Sequence, residues 1–358
     1  MAAEAAFDLA AARRQKARGA RGGHFTMMDS VDVLGLGNSL VDIIAETDDA
    51  YLLAQDMLKG AMTLIDEERA EALYAARVAP RVVSGGSAAN TVVGVASFGV
   101  SSAYIGKVKA DDLGRAYIGD LRGAGVAFDT APAADGPATG RSFIYVTPDG
   151  ERTMNTFLGA SSHLSPPDVD ESLVRAARIV YLEGYMWDRP AAKSAFLKAG
   201  EIARAANRRV ALTLSDSFCV DRFRGEFIDL MRRGVVDTLF ANSDEILSLY
   251  ETPSLDEALA AVRREGVLAA VTRSAKGSVV VDRRHTHEVP AFPIARLTDT
   301  TGAGDLYAAG FLTGLARNAD LKACAALGAL AAAEIIQHLG ARPEAPLASL
   351  ARDSGLAA

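Results

Sequence analysis

Residues 297–316, LTDTTGAGDLYAAGFLTGLA, place a string of very small residues and one acid ahead of a run of small and apolar side chains. The run predicts a helix that begins near Gly302 or Ala303. The first amide groups of a helix have no partner inside it, and glycines leave these amides uncovered, so an anion can bind there with the helix dipole favouring it. Small residues such as Gly310 and Gly314 predict close packing of this helix against a sheet.

The acid that follows the glycine string, Asp305, falls in the first turn of the predicted helix, beside the anion site. There it could accept the proton of a hydroxyl group that attacks a phosphoryl group. Phosphoryl transfer needs oriented reactants, donors for the charge on the transferring group and a carboxylate for the nucleophile. A plain glycine turn followed by an ordinary acidic helix residue explains the same letters. The stretch by itself leaves both interpretations open.

The composition is that of an ordinary soluble globular protein. A chain of 358 residues can bury one large core or two smaller ones, and 49% hydrophobic with 23% charged residues is ordinary for such proteins. The net charge of -7 argues against a nucleic-acid-binding surface. Cys219 and Cys324 fit neither a metal motif nor a disulfide framework, so we expect a cytoplasmic protein.

Two segments differ from the rest of the chain. Residues 1–29 are rich in Ala and Arg and lack the apolar core of a secretory signal, which predicts a disordered extension, with a targeting or interaction segment as the alternative. Residues 82–106 carry no charge, yet they hold too many glycines and polar residues for a membrane span. We predict a buried loop–helix–strand unit there and expect no membrane partner.

From Val31 onward, short apolar runs alternate with helical patterns, which is typical of a parallel sheet with crossover helices. A second pattern, RSFIYVTPDGERTMNTF (141–157), has strand-like halves around a Pro-Asp-Gly turn and predicts a hairpin. An α/β core that carries a small β-sheet lid accounts for both patterns. The apolar runs are 178–184, 209–215, 236–242 and 267–274, and the helical patterns between them are 190–206 and 220–233.

Several common site motifs are missing. No G-x-x-x-x-G-K-[ST] loop occurs, and GLGNSL (35–40) lacks the third glycine of a dinucleotide-binding motif. Neither H-E-x-x-H nor G-x-S-x-G occurs. His285 and His287 alternate on a predicted strand, but with no third ligand nearby they indicate a solvated turn rather than a metal site.

A resemblance to a known family decides between the two interpretations of Asp305. DTTGAGDLYAAGF (299–311) resembles the C-terminal signature of the ribokinase-like (PfkB) carbohydrate and nucleoside kinases, and SGGSAANTVVGVASFG (84–99) resembles their N-terminal Gly-Gly segment. The resemblance runs from about Val31 to Pro343. It implies a ribokinase-like three-layer α/β/α sandwich with a mostly parallel central sheet and a small β-sheet lid.

The same resemblance implies a division of the chain. The kinase domain covers residues 30–345, and a C-terminal tail follows at 346–358. The lid is drawn from about 41–64 and 137–159, since these β segments interrupt the α/β alternation.

The signature implies roles for the residues at its centre. In the family, the small residues of GAGD form the anion hole and the aspartate is the catalytic base, which makes Asp305 the base here. The acceptor is implied to bind near the first strand and the Gly-Gly segment, where a carboxylate suits vicinal hydroxyl donors. The anion-hole residues are Gly302, Ala303 and Gly304, and the acceptor residues are Asn38, Asp42, Gly85, Gly86 and Asn90.

The resemblance also implies ATP and Mg²⁺. NSDE (242–245) matches an element in which Asn242 and Glu245 organise Mg²⁺, largely through water, although an N-terminal capping box has the same pattern. The loop after the strand LAAVT departs from the family, because Ser274 stands where glycine is usual; Arg273 and Lys276 beside it either add positive charge or are solvated. The implied nucleotide-binding residues are Thr272, Ser274, Gly277 and Thr301.

The segments GLGNSLVDI and GGSAAN are more similar to adenosine-kinase-like members than to ribokinases. Three lid aromatics, Phe143, Tyr145 and Phe157, could sandwich a base or form the lid core. We therefore expect ATP-dependent phosphorylation of the 5′-hydroxyl of adenosine, in a monomer or homodimer. A sugar kinase acting on a ribose-, fructose- or ketogluconate-type acceptor is the alternative, and a nucleoside- or nucleotide-binding sensor without turnover is a third. Whether a monovalent cation such as K⁺ takes part is open.

Overall fold

The computed structural model describes residues 30–76 and 81–356. The predicted N-terminal extension, 1–29, lies outside these ranges. Within them, no helix is both long enough and apolar enough to cross a membrane.

Strands and helices alternate along most of the described chain. The strands are β1 (Val33–Leu36), β2 (Leu40–Glu46), β3 (Met62–Leu64), β4 (Arg81–Gly85), β5 (Ser102–Ile105), β6 (Val126–Ala127), β7 (Gly140–Val146), β8 (Arg152–Phe157), β9 (Ile179–Glu183), β10 (Arg209–Thr213), β11 (Thr238–Asn242), β12 (Leu268–Thr272), β13 (Ser278–Val281) and β14 (Thr286–Val289). The helices are α1 (Asp49–Ala54), α2 (Glu67–Ala76), α3 (Ser87–Ser97), α4 (Asp112–Gly123), α5 (Glu171–Ala176), α6 (Pro190–Ala205), α7 (Ser217–Arg232), α8 (Ser243–Tyr250), α9 (Leu255–Glu265), α10 (Ala303–Ala316), α11 (Leu321–Ile335) and α12 (Leu347–Asp353).

The large sheet has the order β14-β13-β12-β11-β10-β9-β1-β5-β6. It is parallel from β12 to β6, and only β13 and β14 run antiparallel to their neighbours. The chain leaves β1 toward β5 on one side, and β9 begins the opposite half of the sheet. In open parallel sheets, ligands bind beyond the carboxyl ends of the strands at such a switch point. The topology therefore places a site where β1 and β9 end.

Helices cover both faces of this sheet, because residues along each buried strand alternate between two cores. Val33 of β1 packs with α3, α10 and α11, and the ring of Phe311 in α10 meets Phe240 of β11 edge-on at 5.5 Å. Leu34 and Leu36 pack in the second core, with residues of α6 to α9. The three-layer α/β/α sandwich predicted from the sequence is confirmed.

The lid is a second sheet with the order β3-β8-β7-β2-β4. The predicted hairpin is present as the antiparallel pair β7–β8. Residues 81–85 add a strand that the sequence analysis read as part of a loop. The prediction was wrong because β4 pairs with β2, about forty residues earlier in the chain, and the local sequence does not indicate this pairing. The predicted loop–helix–strand unit is thus strand, helix and strand.

The register of the lid sorts its side chains onto two faces. Asp42 lies beside Ser142, Ser142 beside Thr156, and Thr156 beside Leu64, so these four share one face, which we call the front face. Residues two positions along each strand extend the same face. They are Ile44, Ile144, Met154 and Met62.

The opposite, back face of the lid packs against α1 and α2. Phe143, Tyr145 and Phe157 all lie there, in one buried cluster with Leu52 of α1 and Leu73 of α2. Since they point away from Asp42, they form the lid core and do not offer a sandwich for a base on the acceptor side. Of the two interpretations of these aromatics, the structure supports the lid core.

The segment assigned to a C-terminal tail contains α12, whose Leu347 and Ala351 are fully buried in the core next to α3 and α11. At least as far as Asp353, these residues are part of the folded body.

Candidate active site

Helix α10 begins as the glycine string predicts. Gly302 is its N-cap with φ 74°, in the left-handed region that glycine adopts without strain, and a Cβ added there would lie 2.7 Å from the Cβ of Ala341. Gly304 is exposed, and a Cβ added there would meet nothing within 4 Å. The Ala303 amide of this turn donates to the carbonyl oxygen of Thr300 at 3.2 Å. The amides of Gly302 and Gly304 have no backbone partner among the described residues, so they can bind an anion.

The carboxylate of Asp305 is held by two donors from α3. Its Oδ1 accepts from Ser87 Oγ at 2.6 Å and its Oδ2 from Asn90 Nδ2 at 2.9 Å. Burial raises the pKa of Asp305, while these two donors and the charge of Arg342 oppose the rise. The other amide atom of Asn90, Oδ1, is buried without a hydrogen-bond partner in the described part of the chain. A hydroxyl group next to Asp305 would find an acceptor there.

Asp42 faces the same region from the front face of the lid. It is only 8% exposed, and burial raises its pKa to about 7; Arg342 and Arg152 oppose the rise, and the charge of Asp305 adds to it. A Cβ at Gly85 would overlap the Asp42 carboxylate, so this glycine lets the backbone of β4 approach it. The structure thus brings Asp42 and Asp305 to one cleft between lid and core.

Two further acceptor-site candidates shape the floor of the cleft. Gly86 has φ 98°, and a Cβ there would overlap the carbonyl oxygen of Asn38. The Asn38 side chain does not point into open space: its Nδ2 donates to Glu183 Oε1 at 2.8 Å, and its Oδ1 accepts from Ser161 Oγ at 2.6 Å. Asn38 is therefore tied to the core, where it orients the loop between β1 and β2.

Glu183 is a functional candidate that the sequence analysis missed. It ends β9 at the carboxyl edge of the sheet and is 1% exposed, and burial raises its pKa to about 7. Its Oε2 accepts from the backbone N–H groups of Ala88 at 2.9 Å and Asn38 at 3.3 Å. The available signal was an acid at the end of the fully buried strand IVYLE, since strand ends at this edge line ligand sites.

Asn242 and Glu245 sit across the cleft, at the end of β11, and form the capping box of α8. Asn242 Oδ1 accepts from Glu245 N at 2.9 Å, and Glu245 Oε2 accepts from Asn242 N at 3.0 Å. The pKa of Glu245 is raised to about 7, chiefly by burial; the carboxylates of Asp216, Asp244 and Asp305 contribute to the rise, and the hydrogen bond from the Asn242 backbone opposes it.

This donor set fits Mg²⁺ held mainly through water. The carboxylates near Glu245 put negative charge around one space, and among residues 30–76 and 81–356 no group of three or more His, Cys, Asp or Glu side chains could enclose a metal ion. Mg²⁺ retains several waters and commonly binds through one or two carboxylates together with substrate phosphates.

The backbone conformation of the loop after β12 explains why glycine is usual at position 274 in the family. Ser274 has φ 51°, a left-handed conformation that glycine adopts freely and that costs other residues roughly 1–2 kcal/mol. Gly277 has φ 79°, and its Cα lies against the backbone of Val289 and Ala291. Arg273 is paired with Glu288 at 2.9 Å, so its charge is partly neutralised. The serine therefore keeps the loop shape of a glycine at the expense of local strain.

One ion pair joins the lid to the loop before α10, and neither partner was singled out in the sequence. The guanidinium of Arg152, on the front face of the lid, pairs with the buried carboxylate of Asp299. Asp299 also accepts from the backbone N–H groups of Thr301 at 2.7 Å and Gly340 at 2.8 Å. Burial lowers the pKa of Arg152 to about 10, and the charge of Asp42 opposes this shift. The Thr301 hydroxyl is buried without a partner in the described chain, next to the anion hole.

Known proteins match both the sequence and this architecture. The profile of the pfkB family carbohydrate kinases matches residues 62–348. The crystal structure of adenosine kinase from Sinorhizobium meliloti is 50% identical, with a TM-score of 0.86, and the match covers 91% of this chain and 99% of that chain. A probable sugar kinase protein from Rhizobium etli CFN 42 is 48% identical, with a TM-score of 0.87 and coverage of 92% and 100%.

A more distant curated relative is the adenosine kinase of Saccharomyces cerevisiae, 28% identical over 327 residues, which are 85% of this chain and 94% of that protein. The family profile spans most of the chain and includes both the Gly-Gly turn and the GAGD helix start. The family resemblance seen in the sequence is confirmed: the chain belongs to the pfkB family of carbohydrate kinases, and it is an ATP-dependent kinase that phosphorylates a hydroxyl group.

Proposed function

We propose that this kinase phosphorylates the 5′-hydroxyl of adenosine. The observation that carries the proposal is the front face of the lid, where a row of apolar side chains lies next to the row that contains Asp42. A free sugar presents hydroxyl groups on all sides and needs polar partners for them. A nucleoside has hydroxyls at one end and a flat, largely apolar base at the other.

The apolar part of the front face is accessible. Met62 and Leu64 of β3 are 43% and 53% exposed, and Met154 beside them is partly exposed. A cavity of about 250 Å³ lies at the end of this strand, between Leu64, Thr156, Phe157 and Leu158 and the start of α2 at Glu67. Ligand sites commonly combine such apolar walls with a few convergent polar groups. The base would lie against β3 and β8, with the ribose toward Asp42.

In this arrangement each part of the cleft has a role in the transfer. Asp42 accepts hydrogen bonds from the ribose hydroxyls, and Asn90 Oδ1 accepts one more. Asp305 takes the proton of the 5′-hydroxyl as the hydroxyl oxygen attacks the γ-phosphorus of ATP, and the bond from that phosphorus to the bridging oxygen breaks to release ADP. The amides of Gly302 and Gly304, together with that of Ala303 once it turns from the carbonyl oxygen of Thr300, stabilise the charge on the transferring phosphoryl group.

ATP would bind on the core side of the cleft. The loop containing Thr272, Ser274 and Gly277 and the free hydroxyl of Thr301 face its phosphates in this proposal. Asn242 and Glu245 would hold Mg²⁺ through water, and the ion supplies positive charge to the phosphate oxygens. The likeness to the Sinorhizobium meliloti adenosine kinase supports this assignment as a whole.

One observation favours a sugar acceptor instead. Ser142 and Thr156 lie between Asp42 and Leu64 in the same row, with their hydroxyl oxygens 2.9 Å apart, and could bind further acceptor hydroxyls. The likeness to the Rhizobium etli probable sugar kinase is nearly as strong. This makes a ribose-, fructose- or ketogluconate-type acceptor the second candidate.

A screen of ADP release decides between them. The purified protein is given ATP, Mg²⁺ and, in turn, adenosine, other nucleosides, ribose, fructose and ketogluconate. We expect the highest kcat/KM with adenosine, and inhibition without turnover by 5′-deoxyadenosine, which keeps the base and ribose hydroxyls. A higher kcat/KM with any sugar would refute the adenosine assignment.

A substitution on the lid tests the role of its front face. Met154→Ser should raise the KM for adenosine while leaving the KM for ATP within about twofold, since a lost apolar contact weakens binding by roughly 1–3 kcal/mol. Thr153→Ser, on the back face of the same strand, is the matched control. An unchanged adenosine KM in Met154→Ser would show that the base lies elsewhere.

A further inference from the structure

Arg342, in the segment between α11 and α12, belongs to none of the motifs considered above. Its guanidinium donates three hydrogen bonds: Nε to the carbonyl oxygen of Ser84 at 3.0 Å, Nη2 to Ser84 Oγ at 2.8 Å, and Nη1 to the carbonyl oxygen of Ala89 at 3.0 Å. Ser84 and Ala89 stand on either side of residues 85–88. One side chain from the C-terminal part of the chain thus brackets the turn between β4 and α3.

That turn carries the contacts on which the acceptor site depends. Gly85 lies against the carboxylate of Asp42, and Ser87, after the left-handed Gly86, donates to Asp305. The turn is also the place where the lid strand β4 passes into the core helix α3. A shift of the turn would therefore move Asp42 and the support of Asp305 relative to each other.

Among the described residues, no ion pair neutralises the positive charge of Arg342. All three of its bonds go to neutral oxygens, and no carboxylate pairs with it in the part of the chain that the structure describes. Its charge opposes the pKa increase that burial causes in both Asp42 and Asp305. A nearby cation favours the ionised form of a carboxyl group.

Other charged or titratable groups face this position from the surrounding elements. Arg152 on β8 adds a second cation near Asp42. Asp120 on α4 accepts a hydrogen bond from the Ser84 hydroxyl, and Tyr117, also on α4, donates to the carbonyl oxygen of Gly85 at 3.1 Å. On the outer side, Arg81 and Glu344 pair at 3.8 Å. None of these groups is a cation that bonds to both sides of the turn, at Ser84 and Ala89, as Arg342 does.

We propose that Arg342 is a positioning residue of the kinase: by holding the turn between β4 and α3, it fixes the acceptor carboxylate Asp42 and the base Asp305 in one reactive arrangement. The proposal rests on the roles assigned to these two aspartates, and it does not depend on which hydroxyl compound is the acceptor.

The test uses Arg342→Gln, which removes the charge, and Arg342→Lys, which retains it without the planar fork of donors. Arg81→Gln is the matched control, because Arg81 also ties the C-terminal segment to β4, through the carbonyl oxygen of Leu339 at 3.0 Å, but is half exposed and far from the turn. For each variant, kcat, both KM values and the pH profile of kcat/KM are measured with the best acceptor found for the wild type, together with the Tm.

For Arg342→Gln at pH 7 we expect kcat/KM for the acceptor to fall roughly 10- to 100-fold, as for a misplaced catalytic group, with the KM for ATP within about twofold of wild type. The acid limb of the profile should move up by about one pH unit, since the cation no longer favours the ionised carboxylates. Arg342→Lys should restore the position of that limb but only part of kcat. Arg81→Gln should match the wild type.

A purely structural tie predicts a different result, in which Arg342→Gln and Arg81→Gln lower Tm and kcat alike and leave the acid limb in place. That result would overturn the proposal, as would an acceptor KM and acid limb unchanged in Arg342→Gln. If Arg342→Gln does not fold, Arg342→Lys decides: a lowered kcat/KM for the acceptor with the KM for ATP and the Tm near those of the wild type supports the proposal, whereas wild-type kcat, or a loss of kcat accompanied by a lowered Tm and a raised KM for ATP, overturns it. If the wild type phosphorylates a sugar and not adenosine, only the substrate assignment is refuted. The Arg342 variants are then compared with the wild type using that sugar as the acceptor.

Discussion

The substitution Asp305→Asn removes the ability of this side chain to accept a proton while keeping its size and shape. In the wild type, Ser87 Oγ and Asn90 Nδ2 donate to the two carboxylate oxygens. In the variant, the amide oxygen can keep the bond from Asn90 Nδ2, and the new amide nitrogen can donate to Ser87 Oγ, whose own proton turns away. Both contacts to residue 305 survive, with the direction of the bond to Ser87 reversed. We therefore expect the variant to fold like the wild type.

The expected loss lies in the rate of transfer. A positioned general base contributes roughly 10²- to 10⁴-fold, or about 3–5 kcal/mol of transition-state stabilisation. The KM for the acceptor should change little, because Asp42 and the free Asn90 Oδ1 are untouched. Since burial raises the pKa of Asp305, a neutral amide avoids placing a charge in this site, and the Tm should stay equal or rise.

The assay is coupled ADP release at saturating ATP and acceptor, with circular dichroism and Tm as checks of folding. Asp256→Asn is the matched control, since Asp256 is an exposed acid in the first turn of α9. A folded Asp305→Asn enzyme that turns over within about tenfold of the wild type would refute the assignment of the base. An equal loss of turnover in Asp256→Asn would show that the loss is not specific to Asp305.

Further predictions concern the acceptor side. Asp42→Asn should raise the KM for the acceptor roughly tenfold or more and leave the KM for ATP nearly unchanged, because a hydrogen bond to a charged group contributes about 1.5–3 kcal/mol. Asp49→Asn, at an exposed position of α1, is the control, and a raised KM for ATP alone would show that Asp42 lies in the ATP site. Because burial raises the pKa of Asp42 to about 7 and its ionised form is the one that accepts hydroxyl protons, kcat/KM for the acceptor should rise as the pH increases through about 7; a profile flat from pH 5.5 to 8.5 would contradict this. Acceptor, more than ATP, should slow hydrogen exchange in residues 137–159, and equal exchange with and without saturating acceptor would show that this hairpin does not close over it.

The sequence predicted the parts of the fold that have local signals. The buried strands β9 to β12 appear as short apolar runs, and α10 as a glycine string followed by small residues. The positions of Asp42, Asn90 and Asp305 followed from the family resemblance, and the structure brings them to one cleft, where Asn90 and Asp305 are in direct contact.

Features that depend on distant pairing were missed. β4 exists because β2 pairs with it, and Arg342 contacts Ser84 across more than 250 positions of the chain. Glu183 had a signal in its place at the end of a buried strand, but an acid in that place is common. For the lid aromatics, alternation along the strands separates two faces without saying which one meets the core, so Phe143 and Tyr145 could not be assigned before the register was known.

The two faces of the lid differ in how freely their residues can be replaced. The back face keeps the sheet on α1 and α2 through buried side chains, whereas the outer part of the front face, at Met62, Leu64 and Met154, is open to solvent. Replacements at these three positions can therefore accumulate with small effects on folding, whereas replacements of the buried side chains on either face create cavities. A directed-evolution library confined to Met62, Leu64 and Met154 would change the acceptor range at little risk to the fold.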